Sequence, residues 1–169
     1  EETVAKLMES DTSSKKPGIL LGKVQSGKTR TFLGVMALAF DNGYDIAIIL
    51  TKGTKPLTEQ TLKRLHEDFG QFEEDNKAQV HDIMFFPKNM VPYELSQKLI
   101  IVAKKETNNL KRVLNDLTNT YPDLKNKKIL IIDDEADFAN ISFHKEKESG
   151  LIDQGKIAII ECIIICFVF

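Results

Sequence analysis

Residues 22–29 read Gly22-Lys23-Val24-Gln25-Ser26-Gly27-Lys28-Thr29, and they match the Walker A pattern G-x-x-x-x-G-K-[ST] at every fixed position. Backbone amides of such a loop wrap around phosphate oxygens, and glycine reaches the required conformations without steric penalty. An apolar run, Gly18 to Leu21, precedes the loop, and apolar residues recur at helical spacing after it, from Lys28 to about Phe40. Strand, loop and helix therefore follow one another in the order that phosphate binding needs.

The rest of the chain repeats this alternation of strand and helix. Strands are predicted at Ile46–Leu50, Ile83–Phe86, Leu99–Ala103 and Ile129–Ile132. Helices are predicted after a polar turn through Pro56 and around Leu110 to Leu117, and the polar segment Gly70 to Asp82 is predicted to be a loop. Short apolar strands separated by helices indicate an α/β fold with a mostly parallel sheet covered on both faces.

The strand predicted at Ile129–Ile132 runs into four carboxylates within five residues, namely Asp133, Asp134, Glu135 and Asp137. Like charges this close destabilise one another's ionised form, and a bound Mg²⁺ offsets that cost. We assign Asp134 to Mg²⁺ and Glu135 to the general base that polarises an attacking water. The alternative is a solvated acidic turn that caps the next helix.

The phosphate loop and the acidic run together predict a nucleotide site, with ATP and Mg²⁺ as cofactors. Lys28 is expected to reach the β and γ phosphates, and the Thr29 hydroxyl is expected to ligate Mg²⁺. We therefore assign catalysis to Lys28 and Glu135, metal binding to Thr29 and Asp134, and phosphate binding to all eight residues of the loop.

These two segments resemble the first RecA-like ATPase domain of superfamily 2 helicases of the DEAD/DEAH-box type, and Asp134-Glu135-Ala136-Asp137 spells the DEAD tetrapeptide. The VQSGKT form is similar to that of bacterial restriction or endonuclease-associated proteins. The resemblance implies a three-layer P-loop NTPase domain and nucleic acid as a partner, DNA more than RNA. It also implies that Thr54, Lys55 and Gln60 lie along a nucleic-acid backbone. Lys104, Lys105, Lys111 and Arg112 are a second contact candidate, although exposed basic side chains are usually only solvated.

The sequence also departs from the family pattern. An adenine-reading glutamine motif is missing from Glu1 to Gly18, and an apolar tail from Ile157 stands where a Ser/Thr-Ala-Thr segment is expected. The second RecA-like domain, which supplies an arginine finger, does not fit in what remains of the chain, so the fold is expected to be incomplete. We therefore expect ATP binding with weak or no hydrolysis by this chain alone. The alternative is a nucleotide-binding interaction or switch module that never turns over.

Composition sets the remaining expectations. With 169 residues and a formal net charge of −2, the chain suits one globular domain without a general nucleic-acid-binding coat. Two cysteines and the lack of a secretory signal favour the cytoplasm. We expect a polar lead-in at 1–16, the ATPase domain at 17–142 and an atypical end at 143–169. The tail at 157–169 is too short for a bilayer span and is expected to be a buried helix, a buried strand, or a truncated or frame-shifted end.

The histidines and the Phe85–Phe86 pair have no predicted role in the site. His66, His81 and His144 lack metal-like spacing and are expected at the surface or in loops. Phe85 and Phe86 could stack on bases, but within an apolar strand they are expected in the core.

Overall fold

The computed structural model describes residues 18–21, 28–52, 54–133 and 162–168, with the single positions 5 and 9. Its strands are β1 (Gly18–Leu21), β2 (Ile46–Thr51), β3 (Ala78–Asp82), β4 (Lys98–Lys104), β5 (Ile129–Asp133) and β6 (Cys162–Val168). Its α-helices are α1 (Lys28–Asp41), α2 (Lys55–Glu74), α3 (Pro92–Ser96) and α4 (Thr107–Asn115). Short 3-10 helices cover Ile83–Phe85 and Pro122–Asn126, and a π-helical turn covers Asp116–Thr120.

The six described strands form one sheet in the order β1-β6-β5-β2-β4-β3, and every neighbouring pair is parallel. β2 has a parallel neighbour on each side. Its Ile46 is in register with Ile129 of β5 on one side and with Leu99 of β4 on the other. The apolar tail contributes β6, which is hydrogen-bonded to β1 and to β5. Of the two ordered alternatives for this tail, the strand is therefore the one observed for Cys162–Val168.

Both faces of β2 and β4 are buried, which explains why these two strands read as continuous apolar runs. Ala47 and Ile49 of β2 pack in a cluster with α1 and α2, while Ile46, Ile48 and Leu50 pack on the opposite face with α4 and the chain that follows it. All six residues of β2 are buried. The predicted α/β domain with a parallel sheet between two helical layers is confirmed.

Local sequence explains how the helices begin and end. α1 stops at Asp41 because Gly43 has a φ of 88°, a left-handed conformation that glycine adopts readily. The Asn42 side chain donates to the Leu38 carbonyl oxygen over 2.7 Å and satisfies one of the last acceptors. None of the helices in the described part of the chain has the length and apolar content required to cross a membrane.

Three predicted boundaries are wrong. The segment Gly70–Asp82 is not a loop, because α2 continues to Glu74 and β3 begins at Ala78; Asn76, with a φ of 54°, makes the turn between them. Burial of Ala78 and Val80 on one face of the sheet stabilises β3 despite its polar neighbours. The predicted strand at Ile83–Phe86 is instead a 3-10 turn, because the Asp82 carboxylate accepts from the Met84 amide over 2.9 Å.

The turn predicted through Pro56 is the third difference. α2 begins at Lys55, so Pro56 lies within its first turn. Proline is tolerated there because the amide that it lacks has no acceptor within the helix. The helix therefore starts closer to the end of β2 than the sequence predicted.

Candidate functional site

Four chain segments singled out from the sequence leave the sheet at the same edge. β1 ends at Leu21 before the phosphate loop, β5 ends at Asp133 within the acidic run, β2 ends at Thr51, and β4 ends at Lys104. Because these strands are parallel, their carboxyl ends meet at one edge. Ligands of open α/β sheets bind in the crevice outside that edge. We call it the carboxyl edge.

The phosphate loop connects two described elements. Residues 22–27, which comprise Gly22, Lys23, Val24, Gln25, Ser26 and Gly27, lie outside the described residues, and their assignment stays a prediction. α1 begins at Lys28, so Lys28 and Thr29 belong to its first turn. The amino end of a helix carries free amides and a partial positive charge, which suits phosphate oxygens. The strand before the loop and the helix after it are therefore in the order that the predicted phosphate loop requires.

The acidic run begins with a residue that the structure describes. The Asp133 carboxylate forms an ion pair with the Lys105 ammonium group, and the two side chains are only 17% and 4% exposed. The Lys105 amide also donates to the carbonyl oxygen of Thr51 over 2.9 Å. Lys105 thus contacts the ends of both β2 and β5. Asp134 and Glu135 lie outside the described residues, so their roles stay predictions; their oxygen ligands, with the Thr29 hydroxyl, are of the type that Mg²⁺ prefers.

No role was predicted for the Lys105–Asp133 pair, and Lys105 was grouped with exposed basic residues. That grouping is wrong for Lys105, because its side chain is almost completely buried against Asp133. Lys111 and Arg112, by contrast, are exposed. Strand alternation was the signal that could have placed Lys105 on a buried face of the sheet, although not beside Asp133. Lys105 follows the buried residues Ile101 and Ala103 at a spacing of two, so it continues their face of the sheet.

The start of α2 is anchored to the end of β2 by buried hydroxyl groups. The Oγ1 atoms of Thr51 and Thr58 lie 3.1 Å apart, both residues are 2% exposed, and Thr58 also donates to the Thr54 carbonyl oxygen over 3.3 Å. Thr54, Lys55 and Gln60 are exposed around this anchor. Lys55 lies 3.6 Å from Glu59 in a solvent-exposed ion pair. These positions are accessible, and their contact with nucleic acid stays a prediction.

Two expectations about aromatic and imidazole side chains are wrong. Phe86 is 4% exposed and belongs to the core, but Phe85 is 83% exposed because the 3-10 turn directs it outward. His66 is exposed and lies 2.8 Å from Glu73. His81 is on β3 and half-buried, and burial lowers its pKa below the ordinary value of 6.5, against the opposing effect of Glu73. His144 lies outside the described residues.

Among the described residues, no group of three or more His, Cys, Asp or Glu side chains could hold a metal ion. Asp134 and Glu135 lie outside those residues.

A comparison with known protein families gives a match over most of the chain. A family model described as "Type III restriction enzyme, res subunit" matches residues 1–149, which include the phosphate loop, α1, the start of α2 and the acidic run. A comparison with curated proteins returned no match.

Proposed function

Because the chain belongs to the family of the type III restriction enzyme res subunit, a family of superfamily 2 helicase-like, RecA-type ATPase domains, we propose that it forms the ATP-binding first half of a nucleic-acid-dependent motor. The family supports an ATP-dependent, helicase-like motor domain. The single observation that carries the proposal is the parallel sheet, because it brings the ends of β1, β5 and β2 to one edge.

The proposed nucleotide site uses the residues assigned from the sequence. Residues 22–27 wrap the phosphates, and Lys28 in the first turn of α1 contributes a positive charge to them. The Thr29 hydroxyl and the Asp134 carboxylate hold Mg²⁺, which supplies charge neutralisation for the phosphate oxygens. Glu135 orients and polarises the attacking water.

Alternation along β5 supports the role of Asp134. Leu130 and Ile132 pack in the cluster that contains α1, while Ile129 packs in the opposite cluster and Asp133 shares its face. Because successive strand residues point to opposite faces, continued alternation is expected to direct Asp134 toward the face of α1. That is the face on which the helix after the phosphate loop lies.

We further propose that the polymer is DNA and that a second RecA-like domain is needed for turnover. The family description names a restriction enzyme, which favours DNA over RNA. An arginine finger contributed by a second domain is worth roughly 10³ to 10⁵ in rate. The chain by itself is therefore expected to bind ATP and to hydrolyse it slowly or not at all. Thr54, Lys55 and Gln60 are proposed to contact the DNA backbone, where charge and hydrogen-bond donors suffice.

The test is Mg²⁺-ATP binding and hydrolysis by the purified chain, with and without single-stranded or duplex DNA and RNA. Lys28→Ala is expected to weaken ATP binding about 10- to 100-fold, since it removes a charged hydrogen-bond donor to phosphate. Lys63→Ala removes an exposed lysine of α2 that has no part in the proposed nucleotide site, and it is the matched control. Glu135→Gln is expected to retain binding and to abolish any turnover.

Three outcomes are distinguishable. ATP binding that depends on Lys28, with turnover that rises in the presence of DNA, supports the motor. Binding without turnover under any polymer indicates either a motor that lacks its second domain or the switch module. Failure of the wild-type chain to bind ATP contradicts both.

A further inference from the structure

Phe85 is the most exposed large apolar side chain among the described residues. It is 83% exposed, whereas Ile83 in the same 3-10 turn and Phe86 directly after it are 2% and 4% exposed. A single exposed apolar residue is ordinary on a protein surface and does not by itself indicate a function. The support of the turn and its place on the sheet distinguish Phe85.

The turn that carries Phe85 is held on both sides of the ring. Before it, the Asp82 carboxylate accepts a hydrogen bond from the Met84 amide over 2.9 Å. After it, Phe86 packs edge-on against Tyr121, with the ring centroids 6.0 Å apart. Phe85 is therefore presented to solvent on a fixed support. A ring that is already fixed loses little conformational entropy when it binds a flat partner.

The turn also has a defined place on the sheet, because it follows β3 and β3 ends at the carboxyl edge. β2, β4 and β3 are consecutive strands, and the proposed backbone contacts Thr54 and Lys55 follow β2. Neighbouring strands are about 4.8 Å apart, so the end of β3 lies roughly 10 Å from the end of β2. That distance corresponds to about three nucleotides of a stacked strand, which rises about 3.4 Å per nucleotide. β1 and β5, which precede the phosphate loop and the acidic run, lie on the other side of β2.

Lysine side chains accompany the ring along this edge. Lys55 follows β2, Lys104 ends β4, and Lys88 follows the 3-10 turn. Lys55 and Lys88 are largely exposed, and Lys104 is partly exposed. The nearby carboxylates of Asp82 and Glu106 accept hydrogen bonds from their own segments. An aromatic ring beside a row of positive charges is the combination by which proteins bind single-stranded nucleic acid without reading its sequence.

We propose that Phe85 stacks on a base of single-stranded DNA whose phosphates contact the residues after β2 and β4. This inference rests on the function proposed above. Stacking needs only the face of a base, and every base has one. In a duplex, both faces of each base are covered by the neighbouring base pairs, so the ring reaches a base only in a separated strand. Phe85 therefore gives the carboxyl edge a preference for single-stranded over duplex DNA.

The alternative occupant of an exposed apolar ring is another protein. Met84 beside Phe85 is 44% exposed, but a phenylalanine contributes at most about 250 Å² of the roughly 800 Å² that each partner buries in a stable protein interface. The cores of such interfaces are also depleted of charged residues, whereas lysines follow both β4 and the turn. The surroundings of the ring therefore favour a nucleic-acid strand.

The first arm of the test measures DNA affinity of the full chain by fluorescence anisotropy, at one salt concentration and with Mg²⁺-ATP present. The probes are an oligothymidylate of about 12 nucleotides, within the site sizes usual for single-strand binding, and a duplex of the same length. Phe85→Ala is expected to weaken binding of the single strand about 5- to 100-fold, the loss usual for one stacked base, and to leave duplex binding within about twofold. Phe85→Trp keeps an aromatic face and is expected to retain affinity.

The matched control removes another exposed phenylalanine. Phe72 is 51% exposed near the end of α2, where the chain approaches the start of β3 and thus the opposite edge of the sheet. Phe72→Ala is expected to bind both probes as the wild type does. Circular dichroism checks that each variant folds.

The second arm separates stacking from contact with phosphates. A 2-aminopurine base within the oligothymidylate loses fluorescence when it stacks on an aromatic ring, so the wild type is expected to quench it at one position of the strand and Phe85→Ala is not. The slope of log affinity against log salt concentration is expected to stay the same in Phe85→Ala, because no phosphate contact is lost. Lys55→Met is expected to reduce that slope by about 0.7, the value for one phosphate of a single strand.

Each outcome bears on a different claim. Wild-type affinity for the single strand in Phe85→Ala, an equal loss for the duplex, or a wild type that binds the strand without quenching at any position overturns the inference and leaves the proposed function intact. A dimer of the wild type that is absent in Phe85→Ala, with unchanged DNA affinity, assigns the ring to a second copy of the chain and also overturns it. A wild-type chain that binds ATP but no nucleic acid contradicts the proposed motor, and the inference with it.

Discussion

One lysine–aspartate pair lies before α4 and another after it, and the two differ in how exposed the lysine is to solvent. Before the helix, Lys105 is 4% exposed and pairs with Asp133 at the carboxyl edge. After the helix, Asp116 is 1% exposed and lies 2.5 Å from Lys88, whose side chain is 63% exposed. The nine residues of α4 correspond to a rise of about 14 Å, so the second pair is well separated from the first.

The surroundings of the two aspartates account for this difference. Asp116 also accepts a hydrogen bond from the Thr120 hydroxyl over 2.8 Å, so its carboxylate does not depend on the lysine alone. The ion pair of Lys88 with Asp116 connects the Lys88 loop to the π-helical turn, and the exposed Lys88 ammonium group stays hydrated. In the Lys105–Asp133 pair both charges have left most of their water. The same two residue types therefore form a pair with an exposed lysine at Lys88–Asp116 and a largely buried pair between strands at Lys105–Asp133.

Replacing the lysine of each pair should give the largest difference in the free energy of unfolding between the two regions. Lys105→Met is expected to lower the free energy of unfolding by about 3–5 kcal/mol, because a largely buried carboxylate loses its cation. Lys88→Met is expected to cost less, about 1–3 kcal/mol, because Lys88 is exposed and the Thr120 hydroxyl still donates to the buried Asp116 carboxylate. Urea denaturation followed by circular dichroism measures both values.

A double variant serves as the control for that prediction. Lys105→Met/Asp133→Leu replaces both charges by apolar groups and is expected to recover most of the lost stability. Equal destabilisation by Lys105→Met and Lys88→Met would show that the difference in exposure has no energetic consequence.

The strands and helices were predicted from the sequence where their burial produces a regular apolar pattern. Strands β1, β2, β4 and β5 and helices α1 and α4 were predicted, because periodicity reports burial directly. β3 was missed because Gln79, His81 and Asp82 make it polar, and only the packing of Ala78 and Val80 on the sheet reveals the strand. Tertiary context overrides composition at such an edge strand.

The candidate site was predicted unevenly for a related reason. The spacing of residues 22–29 is a local signal, and the family match includes that segment. Lys105 and Asp133 are 28 positions apart in sequence, and their side chains meet across the end of β2, which lies between β4 and β5 in the sheet. No local pattern encodes that contact, because it depends on the strand order. Sequence therefore predicts the residues that follow each strand but not which of them meet.

A smaller effect is expected from the hydroxyl group that supports the Lys88 loop. Tyr121 donates to the Pro87 carbonyl oxygen and accepts from the Met90 amide, each over 2.9 Å. Tyr121→Phe is expected to lower the free energy of unfolding by about 1–2 kcal/mol, because the Met90 amide is left without this acceptor. ATP binding should not change. Urea denaturation and an ATP titration test both points, and weakened ATP binding would contradict the separation of the two regions.

The smallest predicted effect is the change of stability with pH that His81 causes, in the same region as the Lys88 loop. The His81 ring packs edge-on against Phe86 at 5.2 Å between centroids, and Phe86 packs against Tyr121 in the same way at 6.0 Å. Burial lowers the pKa of His81; the charge of His66 lowers it further, while Glu73 and Glu94 oppose the shift. The unfolded chain therefore binds a proton at His81 near pH 6.5, before the folded chain does.

It follows that the His81 contribution to stability is constant above that pH and decreases as the pH falls through 6.5 toward the lowered pKa of the folded state. His81→Gln cannot titrate, so the variant is expected to lose less stability than the wild type between about pH 7.5 and pH 5.5, a range that spans the ordinary histidine pKa. His66→Gln removes the exposed histidine whose charge also lowers the pKa of His81, so this variant separates that smaller effect from the effect of burial. Thermal unfolding at several pH values measures the difference. A wild-type slope retained in His81→Gln would show that burial of this ring does not make the region around the Lys88 loop sensitive to acid.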